Sequence, residues 1–355
     1  MPPRRRRRTD AAHFHLPAER LRDGAFAGQT ALRVREAIAT ADGDGTRVRL
    51  QVTAERGGWL AGIDETIAML RTGVPDWSRL QVHALYDGDK VSDAEPVMTV
   101  SGPYADFAHL EPLLPGVLAR RTRVCTNARA LAEAARPKPV LVMLPEHDHW
   151  LTHAGDGAAA ALGGAWDLAG DVRPGGRGGS PVITVPHGLI GACGGSTVQA
   201  AQRALAAAAA DAQALVPVDY ENDATRTAVE VARALEGRLW GVRLSTSDHL
   251  VDRSILDQMG TFPPAGVNPQ LVWNVRNALD AEGLGEVRLV ASGDFPVDRM
   301  RAFEEDGVPV DAYEVGAALH HGQFDFTADV VEVDGRLHAR AGRSATDGAR
   351  LERVR

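Results

Sequence analysis

The chain has 355 residues, 44% hydrophobic and 24% charged, a composition that excludes wholesale disorder and is large enough for two hydrophobic cores. No apolar run reaches the roughly 18 residues that span a bilayer, and the arginine-rich start has no apolar segment behind it. A membrane span and a secretory leader are therefore not expected, and cytoplasmic residence is. Net charge is −8 although Arg4 to Arg8 are all cationic, so the rest of the chain is more acidic still and a broad nucleic-acid-binding face is not expected. Cys125 and Cys193 are too few for a disulfide framework, and only Lys90 and Lys138 are available to lysine-dependent chemistry.

In chain order, residues 1–24 read as a disordered basic tail. An amphipathic helix is expected over 25–40, closed by DGDG at 42–45. RVRLQVTAE (47–55) alternates in the manner of a half-buried strand, GIDETIAMLRTG (62–73) reads as a helix, and 80–86 and 96–101 read as strands. A helical stretch then runs toward Ala135. Beyond it come short apolar runs at 139–144, 182–185, 214–219, 237–245, 287–292 and 310–315. Helical stretches at 196–214, 223–236, 267–283 and 296–306 separate most of them, the rhythm of parallel βα units. RPGGRGGSP (173–181) reads as a flexible loop, and FDFTADVVEVDGRLHAR (324–340) as a hairpin turning at Asp334–Gly335 and returning to the N-terminal layer.

The expected fold class is α/β: an N-terminal α+β sandwich, residues 25–125 completed by 320–355, packed on an incomplete parallel α/β barrel, residues 126–319. No glycine-rich dinucleotide or P-loop motif is present. In barrels, active sites collect at strand C-termini. The residues falling there are His147, His149, His187, Asp219, Arg243, Ser245, Ser292, Gly293, Asp294 and Gly316. Carboxylates, an arginine and glycine turns suit a sugar phosphate bound with a divalent metal.

The order of motifs resembles the nicotinate phosphoribosyltransferase family. EPVMTVSGPYADFAHLE (95–111), TVPHGLI (184–190), VPVDYEND (216–223), GVRLST (241–246), ASGDFPVD (291–298) and VDAYEVGAAL (310–319) are similar to its successive motifs. The resemblance implies that nicotinate, or a related ring acid, is joined to phosphoribosyl pyrophosphate to give a mononucleotide in NAD biosynthesis. It implies Mg²⁺, coupling to ATP hydrolysis, small-molecule substrates and a homodimer or higher homo-oligomer. By match, His187 would carry a phosphoryl group, while Asp219 and Asp294 would act near ribose and metal. Arg243 would meet the ring substrate, Gly293 and Gly316 would make backbone phosphate contacts, and Ser245 and Ala317 fall at further substrate-binding positions.

Several positions depart from the family. Ala31 and Arg33 stand where an aspartate and a ring-stacking tyrosine would fall, and RTRVCT (121–126) lacks the expected motif. PEHDHW (145–150) replaces an Arg-Arg pair, Ser245 an aspartate, Glu314 a glycine and Ala317 a threonine. Glu314 is expected to repel a phosphate ligand. Glu146, His147, His149 and His153 form an H-x-H-x-x-x-H pattern that is a weak candidate metal site. Ser196, within GACGGST (191–197), is expected to cap a helix rather than form a phosphate loop. Two alternatives stay open: a catalytically degenerate member that binds a nucleotide or sugar phosphate without turnover, and the quinolinate enzyme of similar fold, disfavoured by the scarcity of lysine.

Overall fold

The protein was analysed as a computed structural model describing residues 6–41, 45–143, 148–166, 182–260, 262–346 and 348–355. Two compact units divide the chain. The first comprises Met1–Asn127, Ala154–Gly163 and His321–Arg355, and the second Ala128–His153 and Gly164–His320. The strands in chain order are β1 (Arg47–Ala54), β2 (Gly58–Trp59), β3 (Gln81–Ala84), β4 (Lys90–Val91) and β5 (Pro96–Pro103) in the first unit. Next come β6 (Val140–Val142), β7 (Val182–Thr184), β8 (Gln213–Pro217), β9 (Leu239–Leu244), β10 (Arg288–Gly293) and β11 (Ala312–Val315) in the second. The chain then returns to the first unit with β12 (Phe326–Val333), β13 (Arg336–Leu337) and β14 (Glu352–Arg353).

The first unit is built on an antiparallel sheet ordered β13-β12-β1-β5-β3-β14. Alternation in RVRLQVTA buries Val48, Leu50, Val52 and Ala54, the face expected from the sequence. Helix Ile63–Gly73 supplies Ile63, Ile67 and Leu70 to the same core. It begins after Gly62, whose φ of 92° and close approach to Arg121 admit no side chain. The 324–340 hairpin forms as read. Asp334 and Gly335 both take positive φ, the turn geometry that matches strand twist, and β12 pairs with β1.

The N-terminal segment differs from the expected solvated tail. Ala11–Phe14 and Ala18–Arg22 are short helices. Arg7 donates to the carbonyls of Ala84 and Leu85, lies over the Tyr86 ring and sits 3.5 Å from Asp64. The Arg8 amide donates to Asp64 at 2.6 Å. Backbone acceptors, the Tyr86 ring and Asp64 at this end of the sheet thus hold the Arg7 side chain that composition alone assigns to solvent. Arg4 and Arg5 lie outside the described residues.

The second unit is a parallel sheet ordered β6-β11-β10-β9-β8-β7. Its expected strands are present, the first shortened to Val140–Val142, with Leu144 outside the described residues. The helix expected over 196–214 ends at Ala207 despite the alanines that follow. Arg238 donates to the carbonyls of Leu205, Ala209 and Ala212, fastening a turn there, and tertiary hydrogen bonds override helix propensity. Ser196 caps this helix by accepting from the Gln199 amide, as expected. Lys138 donates to Glu304, which also accepts from the Tyr313 hydroxyl, so this lysine has a structural role. The loop expected at 173–181 lies outside the described residues.

Asp87 accepts from the amides of Ile63 and Asp64 at the start of the first unit's core helix. Withdrawal from water, then the Asp64 charge, push its carboxyl up to about 7 against the pull of these amides and Arg7. Ionising it costs more in the folded state than in the unfolded chain, so stability should decline as pH rises from the ordinary aspartate range to about 7. Asp87→Asn is expected to flatten that part of a Tm-against-pH profile. An unchanged slope would show that Asp87 does not titrate there.

Candidate active site

His187 opens the helix His187–Ala192, directly after Pro186 and three residues past β7. Asp219 lies two residues past β8. Parallel pairing of β7 with β8 brings the two together, and His187 Nε2 stands 3.0 Å from Asp219 Oδ1. His187 is 42% exposed and Asp219 14%, so the imidazole remains open to a ligand while its partner is sheltered. Burial alone would raise the Asp219 carboxyl, but the hydrogen bond and charge of His187, helped by a backbone amide and the Ser245 hydroxyl, outweigh it and leave the carboxyl below its ordinary range. Asp219 is therefore ionised at neutral pH and can only accept. The Nε2–H of His187 donates to it, leaving Nδ1 as the ring nitrogen not engaged by the carboxylate.

The surroundings fix this pair. Tyr220 stacks beside His187 with ring centroids 6.5 Å apart. A glycine within the helix His187–Ala192 makes room for the tyrosine: a Cβ on Gly191 would come within 3.2 Å of its hydroxyl. Asn222 donates to the Val251 carbonyl, and Asp252 accepts from the amides of Ala224 and Ser254, tying the segment after β8 to that after β9. Tyr220 was not among the residues singled out from sequence, although its place directly after Asp219 was the available signal.

The other expected positions divide. Gly293 ends β10 with a φ of 118° and open space where a Cβ would be, as a turn that admits a ligand requires. Asp294 follows it on the exposed side, its carbonyl accepting from Arg299. Gly316 is buried after β11, and Ala317 begins a 3-10 turn whose Leu319 amide returns to the Gly316 carbonyl. Arg243 is not presented as an open cation. It is buried, and its Nη1 donates to Glu314 Oε2 at 3.2 Å. Glu314, expected to repel a phosphate, is instead ion-paired and also accepts from the Ser292 hydroxyl at 2.7 Å.

The histidine pattern is not assembled. Glu146 and His147 lie outside the described residues. His149 uses Nδ1 to accept from the Leu151 amide, capping a 3-10 turn, and His153 begins a helix. Among the described residues, no set of three neighbouring ligand atoms includes either one. Among them, too, no helix is long and apolar enough to cross a membrane.

One unit of parallel strands ending in a histidine–aspartate pair and glycine turns, and another built on an antiparallel sheet, match the type II phosphoribosyltransferase fold. Residues 30–122 match the family described as quinolinate phosphoribosyl transferase, N-terminal domain. A nicotinate phosphoribosyltransferase of Mycobacterium tuberculosis is 27% identical over 282 residues, covering 76% of this chain and 57% of that protein. One from Bacillus subtilis is 25% identical over 255 residues, covering 66% and 51%. The chain thus spans little more than half the length of the curated relatives it matches. Among solved structures, a nicotinate-nucleotide pyrophosphorylase from Pyrococcus furiosus superposes with a TM-score of 0.75 at 27% identity, over 95% of this chain and 84% of that one. Human nicotinic acid phosphoribosyltransferase, at 16% identity and a TM-score of 0.62 over 89% and 76%, shares the fold. The chain is thus similar to nicotinate phosphoribosyltransferases and nicotinate-nucleotide pyrophosphorylases, with which it shares its fold.

Because Asp219 is ionised more readily in the folded protein than in the unfolded chain, its contribution to stability is present above the ordinary aspartate range and lost as pH falls through its lowered value. Asp219→Asn should make the acid limb of the stability profile shallower than that of the parent. An identical limb would show that the carboxylate gains nothing from His187.

Proposed function

We propose that this protein transfers the phosphoribosyl group of phosphoribosyl pyrophosphate to the ring nitrogen of a nicotinate-type acceptor, yielding a mononucleotide for NAD biosynthesis. The observation that carries the reading is the sheltered Asp219 holding a half-open His187 at the ends of adjacent parallel strands. The ring nitrogen lone pair would attack C1 of the ribose while the bond from C1 to the pyrophosphate oxygen breaks, the electron pair leaving with pyrophosphate. The open turn at Gly293 lets backbone amides approach a phosphate group.

The donor chemistry suits Mg²⁺. Asp219 and the exposed Asp294 offer hard carboxylate oxygens, and a bound Mg²⁺ would neutralise charge on the departing pyrophosphate. ATP would serve through His187. With Nε2 committed to Asp219, Nδ1 is the nitrogen that would take up a phosphoryl group and pass it on. Assembly into a homodimer or higher homo-oligomer in the cytoplasm is part of this reading. The competing reading, binding without turnover, is favoured by the internal neutralisation of Arg243 by Glu314.

Purified protein with phosphoribosyl pyrophosphate, Mg²⁺, ATP and a panel of nicotinate, nicotinamide and quinolinate tests the proposal. Pyrophosphate and a mononucleotide are expected from at least one ring. His187→Ala should lower the ATP-driven part of the rate by at least about tenfold. Calorimetric binding of a mononucleotide with no pyrophosphate released from any ring would replace catalysis with the binding reading.

A further inference from the structure

The inward face of the parallel sheet is layered. Leu141 of β6, Val182 of β7, Leu215 of β8, Val290 of β10 and Ala312 of β11 form an apolar cluster, joined by Trp240 where β9 carries one extra residue against β8. Toward the strand C-termini the same face changes character. Register places Arg243 across from Val290, and Ser292 across from Glu314, so the three polar residues share this face. Each is the penultimate residue of its strand. Arg243 and Glu314 are both only 5% exposed.

The hydrogen bonds in this layer are unevenly filled. Glu314 Oε2 takes both Arg243 Nη1 and the Ser292 hydroxyl. The same Nη1 faces the Met143 sulfur at 3.4 Å. Arg243 Nε is buried with no hydrogen-bond partner among the described residues. A buried donor left unfilled costs free energy unless an acceptor reaches it, and strand C-termini are where ligands bind in parallel sheets. The layer thus offers a guanidinium N–H whose formal charge Glu314 has already cancelled. A neutral acceptor, an amide or ring carbonyl oxygen, gains a hydrogen bond there. A carboxylate would gain the same bond but would sit close to the Glu314 carboxylate in a poorly solvated place, where like charges repel strongly.

We propose that Glu314, through its ion pair with Arg243, is a specificity-determining residue that selects an uncharged, carboxamide-type or oxo-substituted ring over a ring carboxylate. This rests on the reading of the site as one for phosphoribosyl transfer, and it narrows the acceptor class within that reading. Glu314 stands where the family motif has glycine, so relatives following the motif carry no such internal carboxylate.

The test compares nicotinamide with nicotinate as acceptor for the full chain, with phosphoribosyl pyrophosphate and Mg²⁺, as kcat/KM for pyrophosphate release. The parent should favour nicotinamide by at least about tenfold, and Glu314→Gln should move the ratio toward nicotinate by at least about tenfold. A pair that merely braces the sheet would lower both rates together. Preference for nicotinate by the parent, or an unchanged ratio in a folded Glu314→Gln protein, overturns the proposal. Should that variant not fold, the parent ratio decides alone. Should neither ring be turned over, the quinolinate arm of the panel decides the transfer reading on its own, and calorimetric titration with the two rings judges Glu314 separately. Tighter nicotinamide binding supports it; equal, reversed or absent binding overturns it.

Discussion

The Arg243–Glu314 ion pair is the constraint on which the interior of the parallel unit depends. Two opposite charges are withdrawn from water on β9 and β11, two strands apart, with Ser292 between them on β10 donating to the same carboxylate oxygen as Arg243. Such a pair repays its desolvation only with good geometry, and removing one member typically costs about 3–5 kcal/mol because the other is left uncompensated. The pairing fixes the strand ends in register and leaves Arg243 neutralised rather than open to an anion. It separates this chain from the nicotinate phosphoribosyltransferase motif that its sequence resembles.

The His187–Asp219 pair shows the other way a charged group can be used. Here the acid is sheltered and the base half-open, so the hydrogen bond sets the imidazole tautomer without consuming the ring. Tyr220 and Gly191 hold the arrangement from the helix side, and Asn222 and Asp252 hold it from the loop side. The site therefore combines one preorganised reactive group with a binding layer whose charge is internally balanced.

Much of the fold was legible because its signals are local. Alternation in RVRLQVTA, the Asp334–Gly335 turn and short apolar runs between helices each state their structure in a few residues. The Ala207 helix end was not, because it is set by Arg238, a residue about thirty positions away whose reach no propensity encodes. The anchoring of Arg7 on the carbonyls of Ala84 and Leu85, more than seventy positions away, is hidden from the sequence for the same reason. In the site, motif order points to His187 and Asp219, which the structure brings within hydrogen-bond reach beyond the ends of adjacent strands. It gave Arg243 and Glu314 opposite roles, cation for a ligand and obstacle to one, whereas their side chains neutralise each other. Partner choice between side chains on separate strands depends on register, which spacing along the chain does not reveal.

The most direct test of this account is a double-mutant cycle on the ion pair, with Arg243→Met, Glu314→Gln and the combination compared by denaturant unfolding. Two independent surface-like charges would give changes that add to within about 0.5 kcal/mol. The account predicts that the double substitution costs less than the sum of the single ones by at least about 1.5 kcal/mol, because the second change removes a charge that the first stranded. Additive losses would contradict it, for Arg243 would then be free to meet an anionic ligand.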